Sequence, residues 1–522
     1  MDKQDDCVRS AGKTIGGDAV ALLLLLLVAV AARFVTFGNP VIGFDEQFYL
    51  LVGDRMLDGA VPFVDIFDRK PIGLFLLYAA IRLLGGDGFL AYKLVALLFV
   101  VGTAFAIFLI ARRRTGSIGA LAAAALYICW LNFMEGEGGQ APIFYNLPVA
   151  GAVLITLAAI GRPERVRSFS CGAMLLVGLA MQIKYSVVFE GIFLGCALIW
   201  FGWQSGQRGS RIAWSILLWI GCALAPTLAA LAAYALHGHF SEFWFANFVS
   251  VFAQKRGAVA VQMTGLAVIV GILLPLLLLL ATAPRVATVQ QPGAERRLLG
   301  GWLVAAMLGV LIFWRFASPH YAMPILPPLL IAMAPALDGS PRRRILALIL
   351  VGVAFGAGQV ALALTERAKG GAAAARAVAT AADHRGGCIF VYDGYPALYM
   401  LTHSCLPTRW AFPGSLNTAD EANPAALGID PAREVARIMA TMPAAVIDDY
   451  PRFDQGNRAT RAVVDRALAA DYFLSACVST GPHRVRLIYR PLAEGQRQPS
   501  GACPTAAALG NMSGRPAATR AP

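Results

Sequence analysis

Residues 19–32 read Ala19-Val20-Ala21-Leu22-Leu23-Leu24-Leu25-Leu26-Leu27-Val28-Ala29-Val30-Ala31-Ala32, with six leucines in succession, and the apolar run continues to Phe37. A helix needs roughly 20 apolar residues to cross a hydrocarbon core, and this run approaches that length. A cleaved signal peptide is the competing reading. The length of the run counts against it, and so do the charges that follow where a small-residue cleavage site would be needed.

Similar runs recur along the chain. The 522 residues are 58% hydrophobic and only 14% charged, against roughly 25% charged in a soluble domain. Reading outward from residues 19–37, ten further spans are expected at about 88–111, 117–134, 144–160, 168–183, 187–203, 212–236, 265–283, 299–316, 321–337 and 345–364. The chain therefore reads as a polytopic α-helical membrane protein with about eleven transmembrane helices. The net charge of +13 does not point to nucleic acid, because the basic residues sit in short loops between spans.

Those basic residues orient the chain. Lys3, Arg9 and Lys13 precede the first span, and Arg112-Arg113-Arg114 end the second. Arg162, Arg165 and Arg167 follow the fourth, Arg208 and Arg211 the sixth, and Arg285, Arg296 and Arg297 the eighth. Arg342-Arg343-Arg344 precede the last. Alternate loops are basic, so the positive-inside rule puts the N-terminus in the cytoplasm. An odd span count puts the tail outside, with the bacterial inner membrane as the expected location.

Three outer segments are long: 38–87, 237–263 and the tail from Thr365. The first contains a half-apolar stretch at 72–84, too short to span and suited to lying in the interface. In the tail, 387–392 and 444–447 read as buried strands and 484–489 as an alternating one, with a helical stretch at 431–442. That mixture predicts a small α/β domain. Asp448-Asp449 reads as a turn at a strand end. The expected organisation is a cytoplasmic N-terminus (1–18), a transmembrane catalytic domain (19–364), a periplasmic α/β domain (365–495) and a disordered end (496–522), rich in Ala, Pro, Gly and Ser. Of the nine cysteines, Cys388, Cys405, Cys477 and Cys503 lie in the tail, where an oxidising compartment would allow one or two disulfides of undetermined pairing.

The first outer segment carries the chemistry. It reads Gly43-Phe44-Asp45-Glu46-Gln47-Phe48-Tyr49 and then Asp65-Ile66-Phe67-Asp68-Arg69-Lys70-Pro71. Paired carboxylates beside a span are costly to dehydrate, and the flanking aromatics draw them toward the interface. Carboxylates there can deprotonate a hydroxyl or hold a divalent cation. A lysine in a partly dry site can neutralise a phosphate. A solvated loop, an interfacial anchor for His320 and a snorkelling Lys184 are the plainer alternatives.

Asp45-Glu46 with Tyr49, and Asp68-Arg69-Lys70-Pro71, resemble the first periplasmic loop of GT-C glycosyltransferases. The bacterial relatives of protein O-mannosyltransferases and the aminoarabinose transferases of lipid A are the nearest in pattern. Residues 243–248 (Phe-Trp-Phe-Ala-Asn-Phe), Pro319-His320-Tyr321 with Pro327-Pro328, and the tail from Phe390 to Arg409 are similar to later landmarks of that superfamily. The resemblance implies a GT-C fold and transfer of a sugar from a polyprenyl-phosphate donor to a cell-envelope acceptor: a lipid, a polysaccharide or a protein. It implies Asp45, with Glu46 second, as the catalytic carboxylates, and Lys70, Arg69 and Lys184 as donor-phosphate contacts. Tyr49, Asp68, Glu137, Gln140, His320 and Tyr321 are implied as substrate contacts. No cofactor is required by the pattern, and a divalent cation is left open. One departure stands out. Many relatives carry N-x-E in the second outer loop, whereas residues 139–146 read Gly-Gln-Ala-Pro-Ile-Phe-Tyr-Asn, with Pro142 where the glutamate would align. Glu135 and Glu137 lie just before and could substitute; alternatively this branch lacks the second carboxylate, which leaves a carboxylate-bound metal open.

A transporter or flippase of a lipid-linked substrate is the alternative. It predicts broken spans in repeated halves with polar groups near mid-membrane. No convincing repeat is visible, and the charges gather at one face. A non-catalytic scaffold would leave Asp45, Glu46 and Lys70 without a purpose.

Overall fold

The structure is a computed structural model. It describes residues 2–160, 166–204, 206–255, 257–284, 293–383 and 386–492, with the backbone alone for 2–15 and 166. The orienting residues Lys3, Arg9 and Lys13 are described by backbone only. Arg162, Arg165, Arg285, Cys503 and the expected disordered end at 496–522 lie outside the described residues.

Among the described residues nine helices are long and apolar enough to cross a membrane: Gly16–Thr36, Gly88–Ala111, Ala141–Ile160, Tyr185–Gln204, Ser210–Leu236, Val259–Thr282, Gly293–Phe313, Pro319–Leu337 and Pro341–Ala381. The third and fifth expected spans are present as shorter apolar helices, Ser117–Phe133 and Arg167–Met181. The former tightens into a 3-10 turn at Leu131–Phe133. At 1.5 Å per residue neither exceeds about 25 Å, short of the ~30 Å of a hydrocarbon core. Nine spans are thus established by length and composition, and the expected total of eleven is not.

The spans differ in what they bury. Pro319–Leu337 is almost wholly enclosed, whereas Ser210–Leu236 and Val259–Thr282 turn most of their apolar surface outward. Trp214, Leu217 and Leu228 on one and Val268 and Leu278 on the other are exposed. A water-soluble helix would hide those residues; a helix in lipid need not. The molecule is a multi-pass membrane protein.

The chain divides into two compact units. One comprises residues 1–37, 93–230 and 258–362, which hold most of the spans. The other gathers 38–92, 231–257 and 363–522. The second unit therefore combines all three long segments between and after the spans.

In that second unit, helix Asp45–Leu57 packs on helix Ile72–Arg82. Gly53 lets them meet backbone to backbone: a Cβ there would fall 2.7 Å from Ala79 N and Tyr78 C. The tail contributes β1 (Ile389–Val391), β2 (Ala445–Tyr450), β3 (Tyr472–Gly481) and β4 (Arg484–Pro491), in the order β1-β2-β4-β3. β1 and β2 are parallel, and the β2–β4 and β4–β3 pairings are antiparallel. Helix Pro431–Ala440 starts at an Asp430 cap that accepts from Ala432 N and Arg433 N. Cys388 and Cys405 form a disulfide, and Cys477 is also disulfide-bonded.

One sequence expectation is overturned here. Asp448 and Asp449 are not a turn; they lie inside β2, paired in register with Leu487 and Arg486 of β4. Both are buried. Arg461 meets Asp448 at 2.6 Å, and Arg486 meets Asp449 at 2.7 Å with Arg484 at 3.4 Å. Buried carboxylates persist in a strand when cations pair with them, and these cations come from other elements.

Candidate functional site

Asp45 opens its helix, with Phe44 at the cap. The first turn of a helix presents unpaired N–H groups and favours negative charge. Asp45 is half-buried, while Glu46, the next residue, is fully enclosed. The Glu46 carboxylate fills the space beside Gly43, where a Cβ would stand 2.1 Å from its Oε1. Glu46 and Asp45 both act on the enclosed Tyr78 hydroxyl, whose pKa is raised first by burial and then by these charges. Tyr49, one turn on, donates to Asp45 Oδ2 at 3.2 Å. Its ring also takes the Lys70 ammonium, 5.2 Å from the centroid, within cation–π range. The structure thus brings Asp45, Glu46, Tyr49 and Lys70 of the sequence reading together.

The remaining residues of that loop hold its shape. Asp68 accepts hydrogen bonds from the backbone N–H of Arg69 and of Lys70, the latter at 2.9 Å. Arg69 is bidentate with Glu421 at 2.6 and 2.7 Å, and donates to Ser250 Oγ at 2.6 Å and the Ala426 carbonyl at 3.0 Å. Gln254 donates to the same Glu421 at 2.6 Å. Arg69, expected to meet a donor phosphate, has protein partners for each of its guanidinium nitrogens. Asp68 likewise turns toward its own loop.

Gln47 joins loop and tail: its Nε2 donates to the Gly43 carbonyl, and its Oε1 accepts from Ala397 N at 3.2 Å. Arg55 reaches the Ser404 carbonyl at 2.7 Å. Phe412 of the tail packs at 5.2 Å from both Phe44 and Phe48. Phe243 of the 243–248 aromatic stretch is buried against Phe63 and Tyr234, while Trp244 stays exposed beside Phe240 and Phe248.

The other expected residues fall in the first unit and form their own cluster. Lys184, buried, places its ammonium 4.1 Å from the Tyr321 ring centroid and 6.0 Å from that of Phe313. His320 packs on Tyr321 at 4.3 Å, and its Nδ1 lies 2.8 Å from Glu135 Oε2. A small cavity of about 20 Å³ is lined by Lys184, Ser186, Glu190 and Tyr321. Glu137 and Gln140 are buried in the loop before Ala141–Ile160. Glu135, with a left-handed φ of 56°, is the carboxylate that meets His320. Among the described residues no group of three or more His, Cys, Asp or Glu side chains could hold a metal ion.

A family model described as dolichyl-phosphate-mannose-protein mannosyltransferase matches residues 69–230. Among solved structures, the chain is similar to ArnT from Cupriavidus metallidurans bound to undecaprenyl phosphate. They share 14% identity and a TM-score of 0.57, over 91% of this chain and 98% of that one. The apo form of that ArnT gives 15% identity and a TM-score of 0.58, over 92% and 98%. The chain shares the fold of these ArnT structures. Sequence comparison with the curated proteins finds no match.

Three buried ionisable residues of this chain escaped the sequence reading. Arg33, at the end of the first span, donates to the carbonyls of Gly136 (2.6 Å) and Gly138 (2.7 Å) and so fixes the loop that bears Glu135 and Glu137. Lys93 donates to the Thr36 carbonyl. Glu190 accepts from Trp302 Nε1 at 2.7 Å and lines the Lys184 cavity. A charge inside an apolar span is a signal by itself, and each of the three carried it.

Proposed function

We propose that this chain is a GT-C glycosyltransferase that transfers a sugar from a polyprenyl-phosphate donor to a hydroxyl of a cell-envelope acceptor, at the outer face of the bacterial inner membrane. The observation that carries the reading is the Asp45–Tyr49–Lys70 arrangement: a half-buried carboxylate and an ammonium on either side of one tyrosine. The family model of mannosyltransferases and the fold shared with an undecaprenyl-phosphate-bound protein support the choice of donor class.

Asp45 takes the proton of the acceptor hydroxyl as that oxygen attacks the anomeric carbon. The bond from that carbon to the phosphate oxygen breaks, and the polyprenyl phosphate leaves with the electron pair. Lys70 stabilises the charge gathering on the phosphate, an effect that grows toward the transition state and therefore acts on rate. A single displacement inverts the anomeric centre. Glu46, enclosed beside Gly43, supports the placement of Asp45. Lys184, His320 and Tyr321 are proposed as further substrate contacts.

The test is transfer by the purified chain in lipid nanodiscs, supplied with a radiolabelled polyprenyl-phosphate sugar and an envelope extract. Transfer is expected with the unaltered chain and lost with Asp45→Asn. Undiminished transfer by Asp45→Asn would overturn the assignment.

A further inference from the structure

A hollow of about 130 Å³ opens in the tail where the parallel strands β1 and β2 end. It is lined by Tyr392 and Asp393 after β1, by Arg452, Phe453 and Asp454 after β2, and by Arg458 at the start of the next helix. Crevices at the carboxyl ends of parallel strands are where open α/β sheets bind ligands, because successive loops diverge there. None of these residues has a part in the transfer mechanism above.

The charge pattern selects the ligand. Arg461 on the hollow's wall is paired with Asp448 at 2.6 Å, and Arg452 with Asp465 at 2.8 Å. With two of its guanidiniums matched and two carboxylates, Asp393 and Asp454, on its wall, the hollow does not favour an anion. The half-buried Asp393 carboxylate makes no hydrogen bond among the described residues, although its backbone N–H bonds the Ile447 carbonyl at 3.2 Å. Burial raises its pKa, as a carboxylate short of donors requires. At the rim Phe453 is 48% exposed, a large apolar ring left in water beside polar groups. A carboxylate to accept, a guanidinium to donate and an aromatic face together match a ring with adjacent hydroxyls and an apolar C–H face.

We propose that this hollow binds a saccharide ring, with Phe453 against its C–H face and Asp393 and Arg458 on neighbouring hydroxyls. The full chain in nanodiscs would be titrated with a panel of neutral tri- and tetrasaccharides built from hexoses and N-acetylhexosamines. Saturation-transfer NMR would read binding, with inorganic phosphate as competitor. At least one glycan is expected to bind, phosphate to leave it bound, and Asp393→Asn and Phe453→Ala each to weaken it about tenfold. Phe453→Trp, which keeps a ring at the rim, should retain binding. Asp45→Asn should also bind normally while losing transfer, so failure of the transfer mechanism and failure of this site can be told apart. Absence of binding by every glycan, displacement by phosphate, or unchanged affinity in both weakening variants overturns the proposal.

Discussion

The hydroxyl of Tyr49 donates to Asp45 Oδ2 at 3.2 Å across one turn of the same helix, and the Tyr49 ring carries the Lys70 ammonium on its face. One side chain therefore sets the position of both the proposed base and the proposed phosphate partner.

The two can be separated kinetically. Asp45→Asn should lower kcat by about 10²-fold or more, the scale of a lost general base. Tyr49→Phe removes a single hydrogen bond worth about 1 kcal/mol and keeps the aromatic face, so kcat should fall only about fivefold. Steady-state rates with a defined donor check both. A Tyr49→Phe variant as inactive as Asp45→Asn would mean that the tyrosine does more than position.

Arg69 and Lys70 are adjacent in sequence but should behave oppositely. Arg69→Ala leaves Glu421 buried without its guanidinium, a loss of about 3 kcal/mol or more. Its melting temperature in detergent should drop clearly. Lys70→Ala should melt like the unaltered chain and lose rate. Differential scanning fluorimetry alongside transfer assays distinguishes the two patterns.

The Cys388–Cys405 disulfide spans a sequence separation of 17, and closing a loop of that size restricts the unfolded chain by about 3 kcal/mol. The paired substitution Cys388→Ser with Cys405→Ser should lower the unfolding midpoint of the chain in denaturant. An unmoved midpoint would show that the loop is held by packing alone.

Burial raises the Asp449 carboxyl to about 7, against the pull of Arg486 and with Asp393 adding to the rise. Between its ordinary value and about 7 this group binds more protons in the folded chain than when unfolded, and above that range it is the carboxylate that pairs with Arg486. Its contribution to stability is therefore complete below its ordinary pKa of 3.8 and is lost as pH rises toward about 7. Asp449→Asn should flatten that part of the stability profile, measured as melting temperature between pH 4 and 7.5. A variant with the same slope as the unaltered chain would refute the assignment.

Much of this architecture could be read without coordinates, and the misreadings share a cause. Spans announce themselves through local composition, as do β1, β2 and β4 with their apolar runs. β3 did not, because Tyr472–Gly481 is half-buried along most of its length and shows no clean alternation. Asp448 and Asp449 resembled a turn because the arginines that neutralise them lie later, at 461, 484 and 486. The Glu421 partner of Arg69 was invisible for the same reason, since it is 352 positions away. Asp45 and Lys70 could be singled out as candidates because the chemistry of a carboxylate pair and a lysine near a membrane surface is local. Arg33, Lys93 and Glu190 were legible too, as charges inside apolar runs, but were absorbed into the description of the spans.

The bond from Arg69 to Glu421 also sets a schedule. The ribosome must add 352 residues after Arg69 before the partner exists, which at ordinary elongation rates takes roughly 20 to 70 s. Through that interval residues 38–92 wait beside the membrane with the aromatic rings Phe44 and Phe48 lacking Phe412, which arrives only with the tail. This early segment of the chain is thus among the last to be finished, and a truncated product would carry the Asp45 helix without the surroundings that hold it in place.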